Sequence, residues 1–228
     1  VEATRKNLHA AKNKLFNCFI IMKRIIISTL IAFCSLCSWA ITATEAFTSA
    51  PESVFPLLDK NTRLDMIDYF NSGMTTASQN KLSGKSRITD ISDSQLQFVM
   101  TSSSSYQIAM LESSNTQIIA VIETVATPTP DSNISFYTTD WKKYNENAFE
   151  PATIAQWLTN EGRDNIATVE SIVPFMLSSM TYDSDSQILT LTNNVKHFLG
   201  QDMYSMIEAY LKATLTYKWN GKRFVQQK

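Results

Sequence analysis

The chain has 228 residues, of which 44% are hydrophobic and 18% charged. That balance fits a folded chain of one domain or two small ones and excludes a low-complexity one. From Ile41 onward, 14 basic residues stand against 20 acidic ones, a net charge of −6 that argues against nonspecific attraction to nucleic acid or anionic membrane.

In chain order, residues 1–21 precede what reads as a complete export signal, and an extension of the gene model ahead of a true start at Met22 accounts for them. Lys23 and Arg24 open the signal, Ile25 to Cys37 is its apolar stretch, and Ser38-Trp39-Ala40 supplies small residues at the two positions a signal peptidase reads. The apolar run is shorter than the roughly 20 residues that span a bilayer, and no later segment is long enough. The expected mature protein therefore starts at Ile41, resides in the periplasm or cell envelope, and has no stable transmembrane segment. Cys18, Cys34 and Cys37 all lie upstream, so that part has neither disulfide nor thiol chemistry. At about 188 residues it is large enough to bury a core without covalent staples.

Residues 41–58, rich in small residues, read as an extended lead-in. Thr62 and Asp65 have capping-box spacing, and Leu64, Ile67, Phe70 and Met74 follow at helical intervals, with Gly73 as the stop. Asn80 to Ser86 reads as a polar loop. The period then becomes two: Leu96, Phe98 and Met100 alternate with Gln95, Gln97 and Val99, and Tyr106, Ile108 and Met110 with Gln107, Ala109 and Leu111. The β-branched run from Ile118 to Val125 suggests a more central strand. Thr127 to Asp131 reads as a turn, and Ile134 to Trp141 as a further strand.

A second helix is expected from Pro151, with Ile154, Trp157 and Leu158 inward and Gly162 ending it. Strands are expected over 175–182 and 187–192, and a third helix over 201–212 with Met203, Ile207 and Tyr210 on one face. A closing hairpin turns at Asn220-Gly221, a pair suited to a type I′ turn. Residues 88–100 align without a gap to 180–192, and 66–73 resembles 154–162. The expected fold is α+β, with antiparallel sheets and helices on one face, arranged as a first half (41–146) and a second half (147–228), and the alignment suggests two tandem helix-plus-sheet repeats.

The strings LDKNTRLDMIDYFNSGM (58–74), NKLSGKS (80–86), DSNISFYTTDW (131–141) and YKWNGKRF (217–224) resemble a family of exported proteins from Bacteroides-type bacteria, the domain-of-unknown-function family numbered 3256. The resemblance covers nearly all of the chain after Ile41. It implies a signal-bearing α+β protein of the envelope. It implies no activity, and no catalytic residue carries over.

Chemistry-bearing side chains are scarce. After Ile41 the only histidine is His197, and no Gly-x-Ser-x-Gly elbow accompanies it, which argues against a Ser-His-Asp site. One histidine and no cysteine leave no ordinary zinc or copper site, and the glycines form no phosphate-binding motif. No catalytic, cofactor or metal residue is assigned. Asp90, Asp93, Asp183 and Asp185 lie in hydroxyl-rich turns without the spacing of a calcium loop. Asp65, Asp68, Asp140 and Glu208 are available for two-carboxylate chemistry, but nothing in the sequence brings them together. Tyr137, Trp141, Trp157, Tyr217 and Trp219 form the candidate binding surface, for a sugar ring or a protein partner; each also falls where core packing is expected. Two functions stand: a non-catalytic exported binding module for an envelope protein or glycan, and a carboxylate-based glycan hydrolase.

Overall fold

A computed structural model describes residues 40–114 and 116–227. The expected extension (1–21) and all but the last residue of the expected signal (22–40) lie outside the described residues. Two helices come first. α1 (Ala43–Ser49) forms where an extended lead-in was expected, because Thr42 and Glu45 make a reciprocal capping box. In α2 (Lys60–Asn71) the N-cap is Asp59 rather than Thr62; its carboxylate accepts the Thr62 N–H at 2.8 Å. Gly73, at φ +68°, follows the helix end as its spacing suggested.

Six strands follow: β1 (Ser78–Gln79), β2 (Lys85–Ile91), β3 (Gln95–Thr101), β4 (Ser104–Glu112), β5 (Gln117–Ala126) and β6 (Pro130–Thr138). They form one antiparallel sheet in sequential order. β4 and β5 are central and buried on both faces, which is why Gln107, Ala109 and Leu111 are as buried as Ile108 and Met110. One face carries Leu96, Phe98, Ile108 and Ile119 against Phe47 of α1, Phe55 and Met66 of α2. The other face carries Ala109, Leu111, Ile118 and Ala120 into a second core.

That second core is completed by the rest of the chain. α3 (Ile154–Trp157), α4 (Asn160–Asp164) and α5 (Ile166–Ile172) replace the single helix expected from Pro151. The break has a cause. Leu158 leaves the helix to pair with Leu211, while Thr159 donates its N–H to the Tyr210 carbonyl at 2.9 Å and its hydroxyl recaps α4 through the Gly162 N–H. β7 (Ser178–Asp183), β8 (Ile188–Asn193), β9 (Thr214–Trp219) and β10 (Phe224–Gln226) form a second antiparallel sheet, ordered β10-β9-β8-β7. α6 (Val195–Leu199) and α7 (Gln201–Ser205) replace the expected helix over 201–212, and Met203, expected inward, is exposed. Trp219 pairs with Phe224, so the last hairpin has a four-residue loop in place of the expected two-residue turn; the Asn220 carboxamide oxygen accepts the N–H groups of Lys222 and Arg223.

Residues 41–228 form one compact unit. The aligned stretches 88–100 and 180–192 fall on the hairpins β2–β3 and β7–β8, and their turns touch through a 2.9 Å Ser94–Ser184 hydrogen bond. The stretches 66–73 and 154–162 fall on α2 and on α3–α4, while the sheets that hold the two hairpins differ in size, six strands against four.

Side chains of the first sheet complete the outer edge of β7. The Ser178 N–H is taken by the Asp131 carboxylate at 3.0 Å, that of Met180 by the Ser132 hydroxyl at 2.9 Å, and that of Tyr182 by the Gln107 carboxamide oxygen at 2.9 Å. The Gln107 amide returns a 2.6 Å bond to the Tyr182 carbonyl, so this side chain acts as a strand partner would. Gln107→Leu is expected to cost about 3 kcal/mol by stranding both Tyr182 groups. Gln107→Glu keeps the acceptor but sets a carboxylate against the carbonyl, which raises its pKa; the loss should be present at neutral pH and should shrink as pH falls through that pKa. Urea denaturation at acid and neutral pH reads both.

Gly162 is held by close approach: a Cβ there would lie 2.2 Å from the Tyr210 carbonyl oxygen. Gly162→Ala is expected to destabilise by about 3 kcal/mol, seen as a lower urea midpoint. Burial pushes the Tyr182 phenol up to about 12, with Asp183 and Glu112 adding to the effect. The folded value lies above the unfolded one near 10, so this contribution is complete below pH ~10 and is lost as pH rises through about 12. Tyr182→Phe should move the alkaline unfolding midpoint upward in a pH titration followed by circular dichroism.

Candidate functional site

β6 alternates across the sheet, so Phe136 enters the second core while Tyr137 faces the α1 side. The chain then turns tightly. The Trp141 N–H donates to the Thr138 carbonyl at 2.9 Å, the Thr138 N–H donates to the Lys142 carbonyl at 2.9 Å, and Tyr137 and Lys143 form an isolated bridge. The Thr138 hydroxyl donates to the Asp140 carboxylate, which also pairs with Lys142 at 2.6 Å. Those two bonds, Lys142 first, hold the Asp140 carboxyl below its usual range.

Trp141 closes this turn at φ +61°, a left-handed conformation that a bulky side chain rarely adopts. Its ring lies edge-on to Phe55 with centroids 6.2 Å apart and 5.3 Å from Tyr137, and its N–H reaches the Ser49 hydroxyl at 3.2 Å. The Lys143 ammonium sits 4.6 Å from the Tyr137 ring centroid, within reach of the Ser135 hydroxyl at 3.5 Å. Tyr137 and Trp141 are both partly buried and pack against the first core. Two of the five candidate aromatics thus form a surface cluster, and sequence reasoning missed Lys143 and Ser49 beside them. The Lys142-Lys143 pair directly after Trp141 was the available signal for the first; the second arrives through α1, which was not expected.

The other three candidates are core residues. Tyr217 and Trp219 alternate inward from β9, a strand paired on both sides, and are 4% and 3% exposed. Trp219 stacks near Phe136 and donates its N–H to the Glu112 carbonyl at 2.6 Å; Tyr217 packs edge-on against Phe149. Trp157, the last residue of α3, is fully buried. They offer no stacking face in this fold because the second core needs their volume.

The acidic candidates build turns. Asp183 accepts the N–H groups of Asp185 and Ser186, which hold its pKa down, and Asp90 accepts from the Gln95 amide at 3.1 Å. Asp65, Asp68, Asp140, Glu208 and His197 are all exposed. Among the described residues, no three metal-ligating side chains gather. Of four surface grooves, only one, of about 220 Å³, is lined by a carboxylate, and it has Glu150 alone. The first, of about 370 Å³, lies between the end of α2 and the edge of β2, over Met66, Phe70 and Ile88. Another, of about 300 Å³, lies between the polar face of the first sheet at Thr89, Gln97 and Ser105 and the β7 residues Ser179 to Thr181.

The class these features define is a two-sheet α+β protein with surface aromatics and grooves and with no assembled catalytic constellation among its described residues. The chain belongs to the family described as "Protein of unknown function (DUF3256)", whose model matches residues 35–224. Its fold is similar to that of a solved structure, a domain of an uncharacterized protein from Porphyromonas gingivalis W83, with a TM-score of 0.65 and 20% identity, over 82% of this chain and 98% of that one. No curated protein matches.

Proposed function

We propose that this is a non-catalytic binding protein of the cell envelope, exported with loss of residues 22–40, and that the Tyr137–Trp141 cluster faces its partner. The backbone of Trp141 carries the proposal. A residue of this size at positive φ costs about 1–3 kcal/mol, and such strain concentrates at functional sites. Trp141 stays partly exposed, so the strain is not repaid by full burial. A partly exposed indole beside a tyrosine and a lysine suits stacking on a sugar ring or on a partner's side chain.

The export reading is supported by where the compact unit starts, at Ile41, the residue that cleavage after Ala40 would expose. The Ile41 nitrogen donates to the Gln117 carboxamide oxygen at 2.8 Å, an acceptor that a free α-ammonium also satisfies. The glycan hydrolase alternative needs two carboxyl groups in one cleft, and none of the four grooves has a pair.

The full chain, produced in a Bacteroidales cell, should yield a mature protein whose first residue by mass spectrometry is Ile41; a purified form retaining Cys34 or Cys37 would defeat the export claim. That protein should co-sediment with isolated envelope polysaccharide or envelope membranes. Tyr137→Ala/Trp141→Ala should weaken the association about tenfold or more, with circular dichroism confirming that the variant is still folded. Undiminished association of the double variant removes the cluster from the interface, and release of reducing sugar by the wild type establishes the hydrolase instead.

A further inference from the structure

The outer edge of the first sheet is only partly built. β1 pairs with Ser86 and Lys85 and stops, and among the described residues no strand or main-chain hydrogen bond covers the outer side of Arg87–Ile91. Continuing the β1 register backward would set Ala77 opposite Arg87 and Thr76 opposite Ile88. The chain instead swings away through Gly73 to Thr76, and the 370 Å³ groove lies between that segment and the strand. Unpaired main-chain groups on a strand edge are a template for another extended chain.

The two faces of this edge specify what kind of chain fits. Ser86 and Ile88 point to the α2 side and are buried, where Met66 and Phe70 make the groove wall apolar. Lys85, Arg87 and Thr89 point the other way and are exposed. Neither cation has a carboxylate within 4.0 Å among the described residues, although the sequence from Ile41 onward carries a net charge of −6. A strand laid here presents alternate side chains to the two faces, apolar to one and anionic to the other.

We infer that the β2 edge beyond β1 accepts an extended acidic peptide as an added antiparallel strand, its apolar side chains over Ile88 and Phe70 and its carboxylates beside Arg87, with Lys85 diagonal to them on the same face. This surface is separate from the Tyr137–Trp141 cluster, so Trp141→Ala should leave the binding unchanged and the two proposals fail independently.

The test uses the full chain and a fluorescent hexapeptide of alternating valine and glutamate, with a valine–lysine hexapeptide as control. Anisotropy should show the acidic peptide binding at least about tenfold more tightly than the basic one, and Arg87→Glu, an exposed change, should abolish or reverse that preference. Lys85→Glu should act in the same direction. Hydrogen exchange should slow at amides within 87–91 on addition of the acidic peptide. No binding, protection confined to other segments, or equal affinity for the two peptides overturns the inference. Concentration-dependent dimerisation that protects 87–91 without peptide assigns the edge to a second copy of the chain and also overturns it.

Discussion

One buried amide ties the two sheets together. Gln107 is 6% exposed at the centre of the first sheet, and both ends of its carboxamide are spent on the main chain of Tyr182 in the second. An edge strand packed against a sheet face would ordinarily bury unpaired N–H groups, each costing about 1–3 kcal/mol. Here Asp131, Ser132 and Gln107 take every second one along β7, and Asn194 adds a 2.7 Å bond to the Pro130 carbonyl. These bonds permit the aromatic core of Trp219, Phe224 and Tyr182 to close over Phe136.

The same economy recurs on the other side of the sheet. Arg63 is 2% exposed and has no acidic partner within 4.0 Å among the described residues; its guanidinium donates to the Phe47 and Ala50 carbonyls at 2.8 and 2.7 Å, where α1 ends. A cation at a helix C-terminus is favourable there. Burial lowers its pKa, yet a guanidinium stays charged at any working pH. Asn80 organises its loop likewise, accepting the Leu82 and Gly84 N–H groups while donating to Ser86 and the Met100 carbonyl. Each string that carried the family resemblance thus contains at least one polar side chain that fixes a joint of the fold: Asp59 and Arg63, Asn80, Asp131 and Ser132, and Asn220. The resemblance is largely a record of architecture. What it leaves over is Trp141, which packs on Phe55 at the margin of the first core yet keeps a strained backbone and a partly exposed side chain.

Much of this was legible in residue order. Period-two alternation placed Leu96, Phe98 and Met100 on one face, and the β-branched run from Ile118 marked a central strand, because a strand buried on both faces has no polar side to show. Helices were less legible. α1 was missed because its capping box lies in a stretch of small residues with little periodicity, and the helix beyond Pro151 was drawn too long because Leu158 leaves it for a partner 53 positions away at Leu211. Local propensity has no access to such a partner.

By itself, the order of residues determined an α+β chain with antiparallel strands, scarce catalytic side chains and an acidic body, since composition and period act within a few residues. Only the tertiary structure decided which aromatics meet solvent, for Trp157, Tyr217 and Trp219 are buried in the second core by elements distant in the chain while Tyr137 and Trp141 sit at the margin of the first and stay partly exposed. It also decided that Gln107, polar and apparently solvent-facing by alternation, is interior. Burial depends on what packs on top, and that is settled between elements, not within them.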